Sequence, residues 1–329
     1  MARPTLARIR RGRPRFPAEA VEARSRIREL AASGLTWVHL ERSLPDDLAD
    51  LAERFGFHEL DVEDVLSRRQ RPKIDEYPDY LFVVLHFPFY DKSIQRLNAA
   101  ELDVFLGPDF LITIPNAELL PVSRLFNRCE ADPERTAELF SKGPGFLLYE
   151  VLDDLFDYCF PILDKIQHKL DSIEDEMLEG AAEKDIVRDI SNAKQEIISY
   201  RKIIKPERAT LRVLERHTQR FLREDLELYF DDIVDAAERI WDLLENYKEV
   251  VEGLESTNES VIYHKQSDIL RMLTIISVIV LPLTLITSVF GMNVAFPGEG
   301  GHEAFWVIIG LLVASLVGMV TFFRWKKWL

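Results

Sequence analysis

A stripe of small hydroxyl residues runs along one face of an apolar segment near the C-terminus. Its members recur at alternating intervals of three and four residues, and five of the seven are Ser or Thr. The members of this hydroxyl stripe are Ser267, Leu270, Thr274, Ser277, Leu281, Thr284 and Ser288. Such heptad spacing is typical of helices that pack in a left-handed bundle. It has two interpretations: close packing between membrane helices, or copies of one helix lining a narrow, uncharged pore.

A pore with this lining would pass ions that keep part of their water. Residues 272–298 include no Asp, Glu, Lys or Arg, so an ion would meet only hydroxyls, carbonyls and leucines. These groups replace a hydration shell poorly, and Mg²⁺ gives up its water reluctantly. The stripe therefore predicts that any permeating divalent cation is selected through its hydration shell.

No pattern in the sequence indicates an enzyme or a nucleic-acid-binding protein. We find no nucleophile–base pairing, Walker loop, dinucleotide fingerprint or HExxH motif. Cys129 and Cys159 lack metal-ligand spacing, and we interpret both as small packing residues. The net charge of -15 argues against nucleic acid as a partner. We expect no enzymatic activity and no organic cofactor.

Two long uncharged runs predict that the hydroxyl stripe lies in a membrane. They cover residues 272–298 and 304–323, and a membrane-spanning helix needs about 20 apolar residues. We predict a first span at about 271–291, a loop at 291–303, and a second span at about 304–324. Arg271, Arg324, Lys326 and Lys327 flank the spans, whereas the loop has no Lys or Arg. This distribution predicts a multi-pass protein of the plasma (inner) membrane, in contact with lipid, with both termini cytoplasmic.

The elements ahead of the spans predict a mixed α+β membrane protein. Residues 1–20 resemble a disordered basic arm, and residues 21–144 a cytoplasmic α/β domain. Residues 145–270 have helical periodicity and predict a stalk, and residues 271–329 form the hairpin with a basic cytoplasmic end. In the α/β domain, strands are predicted at 36–40, 80–89, 101–106 and 110–114, and a helix at 45–56. The last stalk helix is predicted to run without interruption into the first span.

Several motifs resemble those of the CorA family of divalent-cation channels, within the superfamily of two-span proteins with a GMN motif. The similar stretches are 281–284 (LPLT), 290–293 (FGMN), 326–329 (KKWL), 57–64 (FHELDVED) and 71–73 (RPK). The resemblance implies a homopentameric funnel that admits Mg²⁺, and also Co²⁺ and Ni²⁺. It also implies that the first span lines the pore.

The resemblance assigns roles to individual residues. Gly291, Met292 and Asn293 would form the selectivity filter at the outer mouth, with the Asn293 carbonyls facing a hydrated cation. Leu273 and Leu281 would form hydrophobic constrictions, so the implied pore lining is the hydroxyl stripe together with Leu273. Asp64 and Asp232 would form a regulatory Mg²⁺ site between subunits that closes the pore when cytosolic metal is high.

Three positions depart from the usual family pattern, and two other functions stay open. Phe290, Ser267 and Leu281 stand where the family typically has Tyr, Asn and Met, so a polar ring at the inner mouth is not predicted. The first alternative is a ZntB-like Zn²⁺ transporter of the same fold. The second is a non-transporting scaffold in which the hairpin anchors a coiled coil.

Overall fold

A computed structural model describes residues 27–41, 45–67, 70–91, 96–179, 183–218, 226–292 and 302–328. The predicted disordered arm, residues 1–20, lies outside them. The described chain forms two compact units. The first comprises residues up to Leu163 together with Ser199–Leu244, and the second comprises Asp164–Ile198 and Glu245–Leu329. The predicted boundaries of the α/β domain, stalk and hairpin stay a prediction.

A six-stranded sheet organises the first unit. Its strands are β1 (Ile27–Ala32), β2 (Leu35–Leu40), β3 (Lys73–Glu76), β4 (Leu81–Asp91), β5 (Arg96–Leu106) and β6 (Phe110–Pro115). Their order is β1-β2-β6-β5-β4-β3, and only β2 and β6 are parallel. The four predicted strands are therefore confirmed, and β1 and β3 are added at the two edges.

Helices cover both faces of the sheet because the central strands β4 and β6 are apolar and buried at successive positions. One face carries Phe82, Val84 and Phe105, which are fully buried in a core shared with Leu48 and Val65. Those last two lie on α1 (Pro45–Phe55) and α2 (Glu59–Ser67). The helix predicted at 45–56 is confirmed as α1, whereas α2 was not predicted.

The other face of the sheet meets later helices of the same unit. Trp37 packs edge-to-face on Phe126, and Phe87 packs edge-to-face on Phe156. Phe126 lies on α3 (Leu120–Ala131), which is followed by α4 (Pro133–Ser141). Neither of these two helices was predicted.

Four long helices complete the chain. They are α5 (Pro144–Glu179), α6 (Glu183–Thr218), α7 (Glu227–Phe290) and α8 (His302–Trp325). Within the second unit, salt bridges join neighbouring helices: Lys169 to Glu196 at 3.2 Å, and Lys194 to Glu255 at 2.6 Å.

Two helices are long and apolar enough to cross a membrane, namely α7 and the segment Phe305–Trp325 of α8. The predicted continuity of the last stalk helix with the first span is confirmed, because α7 runs unbroken to Phe290. Within the second unit, the Arg271 guanidinium donates to the backbone carbonyl of Lys327 at 2.6 Å and lies over the Trp328 ring. The C-terminal turn is thereby fixed to the start of the first span.

Candidate functional site

All eight predicted pore-lining residues lie on α7 and are exposed in the single chain. They are Ser267, Leu270, Leu273, Thr274, Ser277, Leu281, Thr284 and Ser288. The buried and half-buried side chains Ile275, Ile279, Pro282 and Ile286 lie on the opposite side of the helix. The hydroxyl stripe therefore lies on the side of the helix away from these four residues, although Met272, Ile276 and Val280 on other faces are exposed as well.

Three of the five hydroxyls of the stripe donate to their own helix. Thr274 donates to the Leu270 carbonyl at 2.7 Å, Ser277 to that of Leu273 at 2.9 Å, and Thr284 to that of Val280 at 2.9 Å. Since the hydroxyl hydrogen is used within the helix, the oxygen lone pairs stay available as acceptors. Such oxygens can accept hydrogen bonds from the water shell of a passing cation.

The predicted filter begins where α7 ends. The Gly291 amide donates to the Thr287 carbonyl at 2.9 Å, and the Met292 amide donates to the Val289 carbonyl at 3.4 Å. A Cβ atom at Gly291 would lie 3.0 Å from the Thr287 carbonyl oxygen, so glycine permits this close turn. Met292 is exposed, and Asn293 lies outside the described residues.

Asp64, predicted to bind a regulatory metal, is engaged by its own chain. It lies on α2, and its Oδ2 atom is 2.6 Å from the Lys73 ammonium nitrogen. Its Oδ1 atom accepts from the Gln70 side-chain amide at 2.7 Å. The Lys73 ammonium also contacts Asp75 on β3. Burial of the Lys73 ammonium acts to lower its pKa. The hydrogen bonds to Asp64 and Asp75 outweigh this effect, so the pKa of Lys73 is raised.

Asp232, the other predicted ligand, is exposed in the first turns of α7, in an acidic environment. Burial raises the pKa of Asp153 on α5 to about 6, and the charges of Asp157 and Asp232 add to the effect. Among the described residues, the group of possible metal ligands that includes Asp64 does not include Asp232. The predicted pairing of these two residues stays a prediction.

A different group of carboxylates surrounds Asp64. One ligand oxygen from each of Asp61, Asp64 and Asp75 lies within 4.8 Å of the others. Asp61 is buried and accepts hydrogen bonds from Tyr77 at 3.0 Å and Tyr80 at 2.7 Å. Burial raises the pKa of Asp61, although the two tyrosine hydroxyls act in the opposite direction. We call Asp61, Asp64 and Asp75 the carboxylate cluster.

Three further carboxyl groups are buried in the first unit. Glu101 and Asp103 lie on β5, and Glu207 lies on α6. Each has one carboxyl oxygen with no hydrogen-bond partner among the described residues. Burial raises the pKa of Asp103 well above its ordinary value, and the charges of Glu101 and Asp64 raise it further. Burial also raises the pKa of Glu207.

Sequence reasoning identified Asp64 but missed Asp61, Lys73 and Asp75 as its neighbours. Asp61 and Asp64 are three residues apart and would share a helix face, and Lys73 and Asp75 would share a strand face. That spacing was a usable signal. Which helix face meets which strand depends on how α2 packs on the sheet, and no local pattern predicts this.

The family model described as CorA-like Mg2+ transporter protein matches residues 32–327. The cobalt/magnesium transport protein CorA of Thermotoga maritima is 30% identical over 302 residues, covering 89% of this chain and 83% of that protein.

Two solved structures share the fold. The CorA magnesium transporter of Methanocaldococcus jannaschii superimposes with a TM-score of 0.80 at 22% identity, covering 90% of this chain and 92% of the other. The ZntB cytoplasmic domain of Vibrio parahaemolyticus superimposes with a TM-score of 0.56 at 15% identity, covering 70% of this chain and 88% of the other.

Proposed function

Because the chain belongs to the CorA-like Mg²⁺ transporter family, we propose that it forms a channel through which Mg²⁺, Co²⁺ and Ni²⁺ enter the cell. The observation that carries this proposal is the exposed hydroxyl stripe on α7, opposite the buried side of the same helix. A stripe of small acceptors is suited to line a pore when several copies of α7 surround one axis. The relative from Thermotoga maritima is named for cobalt and magnesium transport, which supports the choice of ions.

The proposed assembly is a homopentamer in the plasma (inner) membrane with both termini in the cytoplasm. The basic residues around the spans support this orientation, because Lys and Arg concentrate on the cytoplasmic side. Five copies of Gly291, Met292 and Asn293 would form the outer mouth. The Asn293 side-chain carbonyls would accept hydrogen bonds from water bound to the cation, so no carboxylate is needed to capture it.

Closing of the channel is proposed to depend on cytosolic metal. Leu273 and Leu281 are exposed on the pore side of α7 and would exclude water when the helices approach one another. Mg²⁺ bound between Asp64 of one subunit and Asp232 of its neighbour would hold that closed arrangement. Loss of the metal would leave carboxylates facing each other, and their repulsion would loosen the interface.

A Zn²⁺ transporter is the second candidate, because the ZntB cytoplasmic domain shares the fold. Similarity at 15% identity is evidence for the fold alone. The uncharged stripe favours hard, strongly hydrated cations, whereas Zn²⁺ sites usually use His or Cys ligands. Among the described residues of the two membrane segments, none is His or Cys except His302 at the start of α8.

Ion uptake into proteoliposomes tests the proposal. We expect uptake of Mg²⁺, Co²⁺ and Ni²⁺ without a pH gradient, and slower Mg²⁺ uptake as Mg²⁺ on the cytoplasmic side rises. Asp232→Asn should shift that inhibition to higher Mg²⁺ concentrations, because one metal ligand is lost. Uptake restricted to Zn²⁺ and dependent on a pH gradient would favour the second candidate. Absence of uptake for all four ions would contradict both candidates.

A further inference from the structure

The carboxylate cluster lies where α2 meets the β3 edge of the sheet. Asp61 and Asp64 come from one face of α2, and Asp75 comes from β3. Each contributes an oxygen to a group that spans no more than 4.8 Å. Opposite ligands of an octahedral Mg²⁺ ion are about 4.2 Å apart and neighbouring ligands about 3.0 Å apart, since each metal–oxygen bond is about 2.1 Å. A small contraction of the group would therefore let the three oxygens bind one hard cation.

Lys73 supplies a cation to this position from within the chain. Its ammonium nitrogen lies 2.6 Å from Asp64 Oδ2, also contacts Asp75, and sits 5.2 Å from the centre of the Phe82 ring. A carboxylate oxygen has more than one lone pair, so Asp61 and Asp64 keep acceptor capacity beside their existing hydrogen bonds. The ammonium can leave because its flexible four-carbon stem reaches the cluster from a strand at the sheet edge.

Buried Asp103 is an independent observation at the same place. Asp103 pairs laterally with Val84, and Val84 pairs with Lys73, so all three side chains lie on one face of the sheet. Asp103 is 2% exposed, its Oδ1 atom has no partner among the described residues, and its charge interacts with Asp64 and Lys73. A buried carboxyl oxygen without a partner is costly unless the group holds a proton or a cation approaches it.

We propose that the carboxylate cluster is a divalent-cation site within one subunit, and that the Lys73 ammonium takes the place of the metal when metal is scarce. The site takes a hard cation such as Mg²⁺ or Mn²⁺, because its ligands are carboxylate oxygens. Asp103 lies on the same face of the sheet as Lys73, two strands away. This proposal deepens the regulatory role proposed above for Asp64 and rests on it.

Competition with Lys73 determines how tightly the site binds metal. A metal ion gains carboxylate ligands only after the ammonium group is displaced, so Lys73 lowers the apparent affinity for metal. Asp64 belongs both to this cluster and to the proposed pair with Asp232. Displacement of Lys73 therefore changes the charge that Asp64 presents to the neighbouring subunit.

Binding of Mn²⁺ to the full-length protein tests the proposal, with free Mn²⁺ measured by electron paramagnetic resonance. All proteins carry Asp232→Asn, which removes the proposed site between subunits. We expect Lys73→Gln to tighten Mn²⁺ binding by about tenfold, because a competing charge is lost. Asp75→Asn with Lys73 in place should weaken binding by a similar factor, and it should cancel the gain when combined with Lys73→Gln.

Lys194→Gln is the matched control, because Lys194 forms a salt bridge of 2.6 Å with Glu255 in the second unit. It should leave Mn²⁺ binding unchanged. Equal affinity with and without Lys73, or a gain that survives Asp75→Asn, would overturn the proposal. If Lys73→Gln does not fold, unchanged affinity of the Asp75→Asn protein would overturn it alone. The assay measures no ion flux, so its failure is distinguishable from failure of the proposed transport.

Discussion

At the level of single residues, the chain keeps its carboxylates and its hydroxyl stripe in different segments. In the proposed channel, the stripe would offer lone pairs to water, whereas Asp64 and its neighbours would offer charge directly to a metal ion. Uncharged acceptors hold a hydrated ion weakly enough to release it, which conduction requires. Carboxylates bind a dehydrated ion more strongly, which suits a regulatory site. The two kinds of residue therefore fit two different roles for the same cation.

Glu207 provides a prediction about stability and pH. Its Oε1 atom accepts a hydrogen bond from the His86 amide, and burial raises its pKa above the ordinary value of 4.5. The folded state then holds a proton that the unfolded chain releases. This stabilising contribution is complete below pH 4.5 and is lost as the pH rises through the folded pKa. Glu207→Gln should keep the bond to His86 and remove that loss.

We expect the apparent Tm of Glu207→Gln in detergent to exceed that of the wild type by about 2–4 °C at alkaline pH, and to match it at acid pH. Glu215→Gln, on the same helix but half-exposed, is the control and should show no such pH dependence. An identical fall in Tm with pH for wild type and Glu207→Gln would refute the claim that Glu207 holds a proton in the folded state.

At the level of elements, α8 is joined to α7 by a contact that can be tested. Trp328 stacks on Phe323 with ring centroids 5.9 Å apart, and the Arg271 guanidinium lies 5.4 Å from the Trp328 ring centre. A cation–π contact contributes about 0.5–1 kcal/mol at an exposed site. The contact therefore favours a closed last turn after α8.

Trp328→Ala should loosen that turn, because the ring that covers Arg271 is removed. We expect backbone amides 325–328 to exchange hydrogen roughly twofold to fivefold faster, the change that about 0.5–1 kcal/mol produces. Hydrogen exchange followed by mass spectrometry measures it. Trp306→Ala, an exposed tryptophan in the first turns of α8, is the control. Unchanged exchange in Trp328→Ala would show that the ring does not hold the turn.

Local patterns predicted some elements and missed others for identifiable reasons. The strands β4 and β6 are apolar and β-branched or aromatic, and α7 has sustained helical periodicity, so both kinds were predictable. The segment β1 reads IRELAA, which consists mostly of good helix formers. It is a strand because Ser33 and Gly34, with φ angles of 51° and 79°, turn it back to pair with β2.

The candidate site was predictable only in part. The stripe is local in sequence and could be predicted from residue types and spacing, whereas the filter was implied by the resemblance of its motif to a known family and stays a prediction. The carboxylate cluster was not, since it depends on α2 packing over β3 and on the register that aligns Lys73 with Val84 and Asp103. Contacts of that kind are tertiary, and neighbouring residues do not encode them.

At the level of the whole molecule, passive entry of a divalent cation requires a means of closing. A membrane potential of 100 mV is worth about 4.6 kcal/mol for two charges, twice the single-charge value. At equilibrium this corresponds to an accumulation on the order of 10³-fold. A channel that stayed open would approach this ratio. We therefore expect metal-dependent closing through cytoplasmic carboxylates. The helix α7 contains both Asp232 and the hydroxyl stripe, so a change at one can be transmitted to the other along one helix.

The central claim is that Asn293 holds the hydrated cation at the mouth of a channel. Potential-driven Mg²⁺ uptake by the wild type and by Asn293→Ala tests it most directly. The measurement uses proteoliposomes that contain a Mg²⁺ indicator and carry a potassium diffusion potential, negative inside. We predict that wild-type uptake rises with the potential and that Asn293→Ala reduces it by at least about tenfold, because the ring of carbonyls that holds the hydrated ion is lost. Asn127→Ala, which removes an exposed amide on α3, should behave as the wild type. Equal uptake by wild type and Asn293→Ala, or uptake that ignores the potential, would contradict the account.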